Sequence, residues 1–336
     1  MRVFVTGGSG FIGGALVRRL CRDGHEVRAL VRSARAEALV AAAGAVPVPG
    51  DVAEPGPWQE EMRGCDAVVH AAAKVADWGP KKEFFRVNLN GTINVVHSLT
   101  HWSGHFVHIS SVAVHGWRPG VYTEDSPAKP GRHPYCLTKA LAESFVGLHA
   151  QGRLRASIVR IAGVYGAGDT HFVARLLDLA ASGRIPVVGR GDQPSKMIHI
   201  DDVVAALMAL LARPGGSGAT YLLNDPAVPG VAELIRLAMR ALGLEVKIRH
   251  VPEWLALAAA FGEETRARLT GSPPLLTSYA VKAMGRRCFF SPEGTSRKLG
   301  WSPVVKADDG VARTVAWFRE SRAKAPAPPP AGEARR

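Results

Sequence analysis

Residues 1–20, MRVFVTGGSGFIGGALVRRL, decide how the rest of the chain is read. Arg2–Thr6 is a short apolar run with the character of a strand. From residue 11 onward Ile12, Ala15, Leu16 and Leu20 recur at helical spacing, and Gly24 can stop that helix. Between the two stand glycines at 7, 8, 10, 13 and 14. Gly8, Gly10 and Gly13 satisfy GxGxxG; Gly7, Gly10 and Gly13 satisfy GxxGxxG. Glycine lets a backbone turn tightly and approach a pyrophosphate, and the helix N-terminus supplies N–H groups and a positive dipole. A glycine loop alone is an ordinary tight turn. Set between a strand and a helix, it predicts a dinucleotide site with Gly7, Gly10, Phe11, Ile12 and Gly13 against the ligand.

Working outward, strands and helices keep alternating. Glu26–Val31 and residues 46–48, 66–70, 106–109 and 157–161 read as strands. Residues 33–43, 84–102 and 135–149 read as helices between them. Repeated strand–helix units predict an α/β Rossmann fold, a doubly wound parallel sheet with helices on both faces. After about Tyr165 the pattern loosens. Helical stretches at 172–182, 202–211, 231–242 and 254–268 alternate with strand-like pieces at 185–188, 221–223 and 246–250. The expected division is a nucleotide-binding domain over 1–165 and a smaller C-terminal α/β substrate lobe over 166–322, partly interleaved with the first. The proline- and alanine-rich tail, 323–336, has almost nothing to bury and is expected to be disordered.

The 336 residues are 47% hydrophobic and 21% charged, an ordinary globular balance with enough chain for a sizeable core. Cys21, Cys65, Cys136 and Cys288 are scattered without a CxxC pair, so neither a metal site nor a disulfide framework is expected. No secretory signal pattern and no long apolar span stand out, so a reducing, cytoplasmic setting is expected, with no membrane span. The net charge of +13 favours anionic partners; a solvated arginine-rich surface accounts for it equally well. No aromatic-interleaved basic motif accompanies it, so nucleic acid is not expected as a partner.

Strand two ends in ALVRS, residues 29–33, where a dinucleotide fold meets the adenosine ribose. A carboxylate there suits NAD(H) and repels a 2′-phosphate; a guanidinium grips one. Arg32 therefore favours NADP(H) over NAD(H), unless it is simply a solvent-facing arginine. Asp51 and Val52 follow strand three and would flank the adenine, although an Asp at a strand end also suits a turn.

HPYCLTK, residues 133–139, sets Tyr135 and Lys139 four apart on one helical face. A neighbouring ammonium stabilises phenolate, so Lys139 is expected to lower the Tyr135 pKa from its usual value near 10. Tyrosine then exchanges a proton with a carbonyl or alcohol while hydride moves to or from a nicotinamide. Ser110 and Ser111 close strand five, where a hydroxyl polarises the substrate oxygen or merely ends a strand.

Together these pieces resemble the extended short-chain dehydrogenase/reductase family. The resemblance rests on TGGSGFIG (6–13), DAVVHAAA (66–73), NLNGT (88–92), SSVAVHG (110–116), YCLTK (135–139), RIAGVYGAGD (160–169) and HIDDVV (199–204). It implies Ser111, Tyr135 and Lys139 as the catalytic trio, with Lys139 also holding the nicotinamide ribose. It implies Ala71, Ala72, Ala73, Ile161 and Val164 along the cofactor. Ile161 replaces a proline common in the family, which leaves that contact open. Asn88 sits where the family often has a helix-stabilising or water-holding asparagine; an ordinary polar helix residue fits as well.

One branch of the family handles nucleotide sugars, another hydrophobic ketones and alcohols. Ser195 and Lys196 stand where nucleotide-sugar enzymes usually carry Arg-Asp, and the C-terminal third resembles the 3β-hydroxysteroid dehydrogenase branch, as does AAKVADWG (72–79). The reading is an NAD(P)(H)-dependent oxidoreductase that interconverts a carbonyl and a secondary alcohol on a sterol-like or 3-oxoacyl-like substrate. Lys74, Trp78, His115 and His171 are candidate pocket residues, and Trp117 and Phe172 are others; each also suits ordinary core or loop. The alternatives are a nucleotide-sugar epimerase or dehydratase and a non-catalytic dinucleotide-binding protein. Retention of both Tyr135 and Lys139 argues against the last. Residues 254–261 would wall an apolar pocket, touch a membrane surface or form a core helix, and a homodimer is left open.

Overall fold

The computed structural model describes residues 1–152, 154–169 and 184–323. The expected helix at 172–182, His171, Phe172 and the tail from residue 324 lie outside the described residues.

Seven parallel strands form the central sheet: β1 (Arg2–Thr6), β2 (Glu26–Val31), β3 (Val46–Pro49), β4 (Ala67–His70), β5 (His105–Ser111), β7 (Ala156–Ile161) and β11 (Ala219–Leu223). Their spatial order is β11-β7-β5-β4-β1-β2-β3. Chain order reverses beside β1, whose register runs Val3↔Ala67 to Thr6↔His70 with β4 and Arg2↔Glu26 to Thr6↔Leu30 with β2. Connections leave β1 and β4 toward opposite faces, which opens a crevice at their C-terminal ends.

The pleat explains the two cores. Val3 and Val5 point to one face and pack with Leu16, Val17 and Leu20 of α1 (Phe11–Arg22). Phe4 points to the other face, with Leu30, Trp58, Val68 and Phe106. Against that face lie α5 (Gly91–Ser98) and α6 (Pro134–Ala150).

Three features depart from the sequence pattern. The helix expected over 84–102 is instead α4 (Lys81–Phe84), a π-helical turn over Phe85–Asn90, and α5. The wider turn carries Asn88 inward, where its Oδ1 accepts from Lys74 N at 2.7 Å and its Nδ2 donates to Lys74 O and Thr138 Oγ1, both at 3.2 Å. Residues 221–223 were read with the smaller lobe; they lie in β11, the edge strand of the main sheet, in register Tyr221↔Val159 with β7. The chain returns there through α7 (Ile200–Ala212), whose apolar residues share the α1 core. Finally, β6 (Gly120–Tyr122) pairs with β13 (Cys288–Phe290), three residues each and too short to show alternation in the sequence.

The smaller lobe packs β9 (Arg184–Val188) and β12 (Lys247–Val251) with α8 (Val231–Leu242) and α12 (Ala307–Ala323) around Val187, Leu234, Ile235 and Phe318. Two further helices, α9 (Glu253–Thr270) and α10 (Ser278–Gly285), pack on each other and border a separate cavity beside α6.

Candidate active site

The loop after β1 settles the two glycine spacings. Gly7 has φ +72°, and a Cβ there would lie 2.7 Å from Ala72 N. A Cβ on Gly13 would strike the Gly7 carbonyl. Gly10 is the N-cap of α1, with its N–H on Gly7 O at 2.9 Å. Gly8 points elsewhere, against the Ala29 methyl. GxxGxxG is therefore the spacing that shapes the cradle, and Gly8 serves helix–sheet packing.

Gly7, Gly10, Arg32, Asp51, Val52 and Ala71–Ala73 line a cavity of 220 Å³ at the sheet's switch point. Ala71 N donates to Thr6 O and Ala72 N to Thr6 Oγ1, each at 3.2 Å, so the alanine run is pinned to the end of β1. Asp51 Oδ1 accepts from Ala53 N at 3.0 Å and its Oδ2 faces Arg86 at 3.4 Å. Asp51 thus holds its own turn as well as lining the cavity. Phe11 and Ile12 form the first turn of α1, and the Phe11 ring would lie 3.2 Å from a Cβ at Gly168. A backbone cradle that side chains would fill, beneath a helix N-terminus without an acid in its first turn, fits a dinucleotide pyrophosphate.

The proposed trio converges beyond this cradle. Ser111 caps a short 3₁₀ turn, Val112–His115, by accepting Ala113 N–H at 3.2 Å. That leaves its O–H for the Tyr135 phenol, with which it interacts. Ser110 is buried beside it. Tyr135 stands in the first turn of α6, only 8% exposed. Burial pushes its pKa up to about 12, and Ser111 pulls against that rise. Lys139 Nζ donates to the Ile109 carbonyl of β5, and burial lowers it to about 8 despite Glu143. The expected acidification of Tyr135 by Lys139 is therefore not what this geometry gives. Desolvation dominates and keeps the phenol protonated. Ile161 ends β7 in register with Ser111, and Val164 follows in β8 (Gly163–Tyr165).

A larger cavity of 620 Å³ opens beside the first turn of α6, with neither Ser111 nor Tyr135 among its lining residues. Its lining includes the neighbours Pro134 and Cys136, together with Trp78, Trp117, His133 and Tyr279. Lys74 stands at its edge, with Nζ 5.5 Å from the centre of the Phe84 ring. His115 does not line it. That imidazole is buried, stacked 4.4 Å from Tyr122 with Nδ1 near the Pro127 carbonyl. It is a packing residue, because β6 and β13 cover it.

Sequence reasoning missed Tyr279, which stacks on His133 at 4.1 Å and meets Tyr135 and Trp117 edge-on. No motif marks it, since it arrives from 144 positions downstream of Tyr135 only through α10. The buried pair Arg160–Glu143 was also not singled out. Arg160 forks onto both Glu143 oxygens and reaches the Glu124 and Ser126 carbonyls, tying β7 to α6.

A seven-stranded parallel sheet, a glycine cradle at its switch point and a serine–tyrosine–lysine cluster beside it define an NAD(P)-dependent oxidoreductase. The chain belongs to the NAD dependent epimerase/dehydratase family, whose model matches residues 3–223. It is 33% identical over 318 residues to 4-hydroxy-2-methyl-3-oxo-4-farnesyl-3,4-dihydroquinoline-1-oxide ketoreductase of Stigmatella aurantiaca, covering 93% of this chain and 95% of that one. It is 31% identical over 328 residues to 2-alkyl-3-oxoalkanoate reductase of Stenotrophomonas maltophilia, covering 93% and 98%. Its fold matches UDP-glucuronic acid 4-epimerase from Bacillus cereus in complex with NAD, with a TM-score of 0.77 at 18% identity, over 96% of this chain and 99% of that one.

Proposed function

We propose that this protein reduces the ketone of a hydrophobic substrate with NADP(H), using Ser111, Tyr135 and Lys139. The dinucleotide, when bound, supplies hydride to the carbonyl carbon. Ser111 holds the carbonyl oxygen, and Tyr135 passes its proton to that oxygen as charge develops. Lys139 then reprotonates the phenol. The observation that carries this reading is the contact of Ser111 with the Tyr135 phenol in the first turn of α6, whose residues Pro134 and Cys136 line the aromatic cavity. The protonated phenol is the form that serves ketone reduction, and the same group accepts the proton back in the reverse reaction.

The cavity also supports one substrate class over another. Arg132 and Lys282 line it, and neither has an ion-pair partner among the described residues. A sterol offers such cations nothing, whereas a 3-oxoacyl substrate with an acidic head does. The names of the two ketone-reducing relatives agree with an apolar ketone. The resemblance to the 3β-hydroxysteroid dehydrogenase branch supports the apolar character and not the ring system. Against a nucleotide sugar stands Lys196, whose Nζ turns inward onto the Arg286 carbonyl at 2.7 Å. Ser195 and Lys196 stand where the family's nucleotide-sugar enzymes usually carry Arg-Asp, so the arginine of that pair is replaced by serine.

The test is a steady-state screen with NADPH. It compares a medium-chain 3-oxo acid, its neutral methyl ester, a 3-oxosteroid and a UDP-sugar. Turnover of the acid and ester, with none of the sugar, is expected. Activity on the sugar alone would replace this reading with the epimerase one.

A further inference from the structure

The helix α9 does two things at once. On one side it borders the large cavity through Glu264 and Arg268, with the Arg268 guanidinium 5.4 Å from the Trp78 ring. On another it presents apolar side chains to solvent. Trp254 is 71% exposed and Phe261 68%. Residues 254–262, WLALAAAFG, contain no charge. Phe261 and Arg268 lie seven positions apart, two turns along nearly the same face, so the stripe runs into the cavity rim.

Charge around the stripe is one-sided. Residues 247–287 hold seven Lys and Arg against three Glu. All three acids are paired: Glu253 with Arg286 at 2.8 Å, Glu263 with Arg266 at 2.9 Å, and Glu264 with Arg268 at 3.5 Å. Lys247 and Arg249, on β12 just before the helix, are exposed and lack an acidic partner among the described residues. A tryptophan–phenylalanine stripe near free cations complements an anionic lipid surface, where rings sit among the headgroups and cations face phosphate. A second copy of this chain would bring the same cations against themselves.

We propose that α9 docks this protein on anionic bilayers, with the large cavity opening at the membrane surface. A hydrophobic substrate then passes from the lipid along the stripe to the cavity without crossing water. No helix among the described residues is long and apolar enough to cross a membrane, so the contact is peripheral. The passage of substrate rests on the function proposed above; the docking does not, and its test does not use turnover.

The test is co-sedimentation of the full chain with vesicles of phosphatidylcholine plus phosphatidylglycerol, against phosphatidylcholine alone. Binding about tenfold or more stronger to the anionic vesicles is expected. Trp254→Ser with Phe261→Ser should weaken it, and so should Lys247→Glu with Arg249→Glu; both pairs are solvent-exposed, and unchanged melting curves check the fold. Wild-type protein that stays in the supernatant, or binding that neither pair alters, overturns the proposal. A dimer that dissociates on the Trp254/Phe261 change, seen by light scattering, would assign the stripe to a second copy and overturn it as well.

Discussion

Tyr279 stands edge-on to Tyr135, with ring centroids 6.4 Å apart and planes at 89°. The pair links α10 of the small lobe to the first turn of α6. Tyr279 is also stacked on His133 and lines the large cavity, while Tyr135 does not. The Tyr279 ring lies against the phenol's ring on the cavity side, so a substrate carbonyl reaches Tyr135 past Tyr279. Tyr279→Ala should cost about 3 kcal/mol of stability, as an aromatic-to-alanine change in a packed site does. It should also raise the kcat/KM ratio of branched over linear ketones. An unchanged ratio in a folded variant would remove Tyr279 from any role in selection.

Tyr135→Phe keeps the ring packing against Tyr279 and removes the proton donor. The expected loss in kcat is about 10²–10⁴-fold, the usual span for a positioned general acid. NADPH affinity by fluorescence titration should stay within a few-fold, because the cradle is built by Gly7, Gly10 and Ala71–Ala73. A variant with near-normal turnover would sink the assignment.

Lys139 makes the stability pH-dependent. Its ordinary value of 10.5 falls to about 8 through burial. Below pH 8 the folded and unfolded chains both hold the proton, and the burial penalty is complete. Between about 8 and 10.5 the unfolded chain holds more of it, so raising pH across that window stabilises the fold. Relative to Lys139→Met, the wild type should gain on the order of 2 kcal/mol between pH 7.5 and 10. Urea melts at the two pH values measure this, and an equal gap at both denies it.

The sheet, the glycine loop and the Tyr135–Lys139 pair were legible because each is local: an apolar run, a fixed spacing, one helical turn. What was not legible depended on distant chain. Tyr135's high pKa comes from burial under α10, which no pattern near residue 135 encodes. His115 looked like a pocket residue from its place after strand five, until the three-residue β6–β13 ladder was seen to enclose it. The break at Phe85–Asn90 is a matter of one extra residue per turn, invisible in an apolar period spread over 84–102.

That break gives Asn88 its task. Its amide joins the backbone of Lys74 to Thr138, which itself donates to the Pro134 and Tyr135 carbonyls. Asn88→Ala removes the partners of the Lys74 N–H and carbonyl and should cost about 1–3 kcal/mol. As a positioning residue it should lower kcat more than it raises KM for NADPH. Asn88→Asp keeps the acceptor for Lys74 N–H and loses both donors, so it should rescue little. Full activity in Asn88→Ala at unchanged stability would make the asparagine an ordinary polar helix residue.

Arg32 stands exposed between the dinucleotide cavity and a second hollow of 380 Å³ lined by Ser33, Ala34, Glu37 and Gly50. No acid pairs with it among the described residues. The helix α2 (Ala34–Ala42) begins in that hollow, with Ser33 Oγ accepting Ala36 N–H at 3.3 Å. A 2′-phosphate there would meet the guanidinium and first-turn N–H groups, with Glu37 the opposing charge. Charge-assisted hydrogen bonds of this kind contribute about 1.5–3 kcal/mol. Arg32→Ala should therefore raise KM for NADPH roughly tenfold to a hundredfold while leaving KM for NADH nearly unchanged. Glu37→Gln should shift NADPH in the opposite direction by a smaller factor. Equal effects of Arg32→Ala on the two cofactors would mean that Arg32 attracts pyrophosphate charge in general, and the preference for NADP(H) would lose its basis.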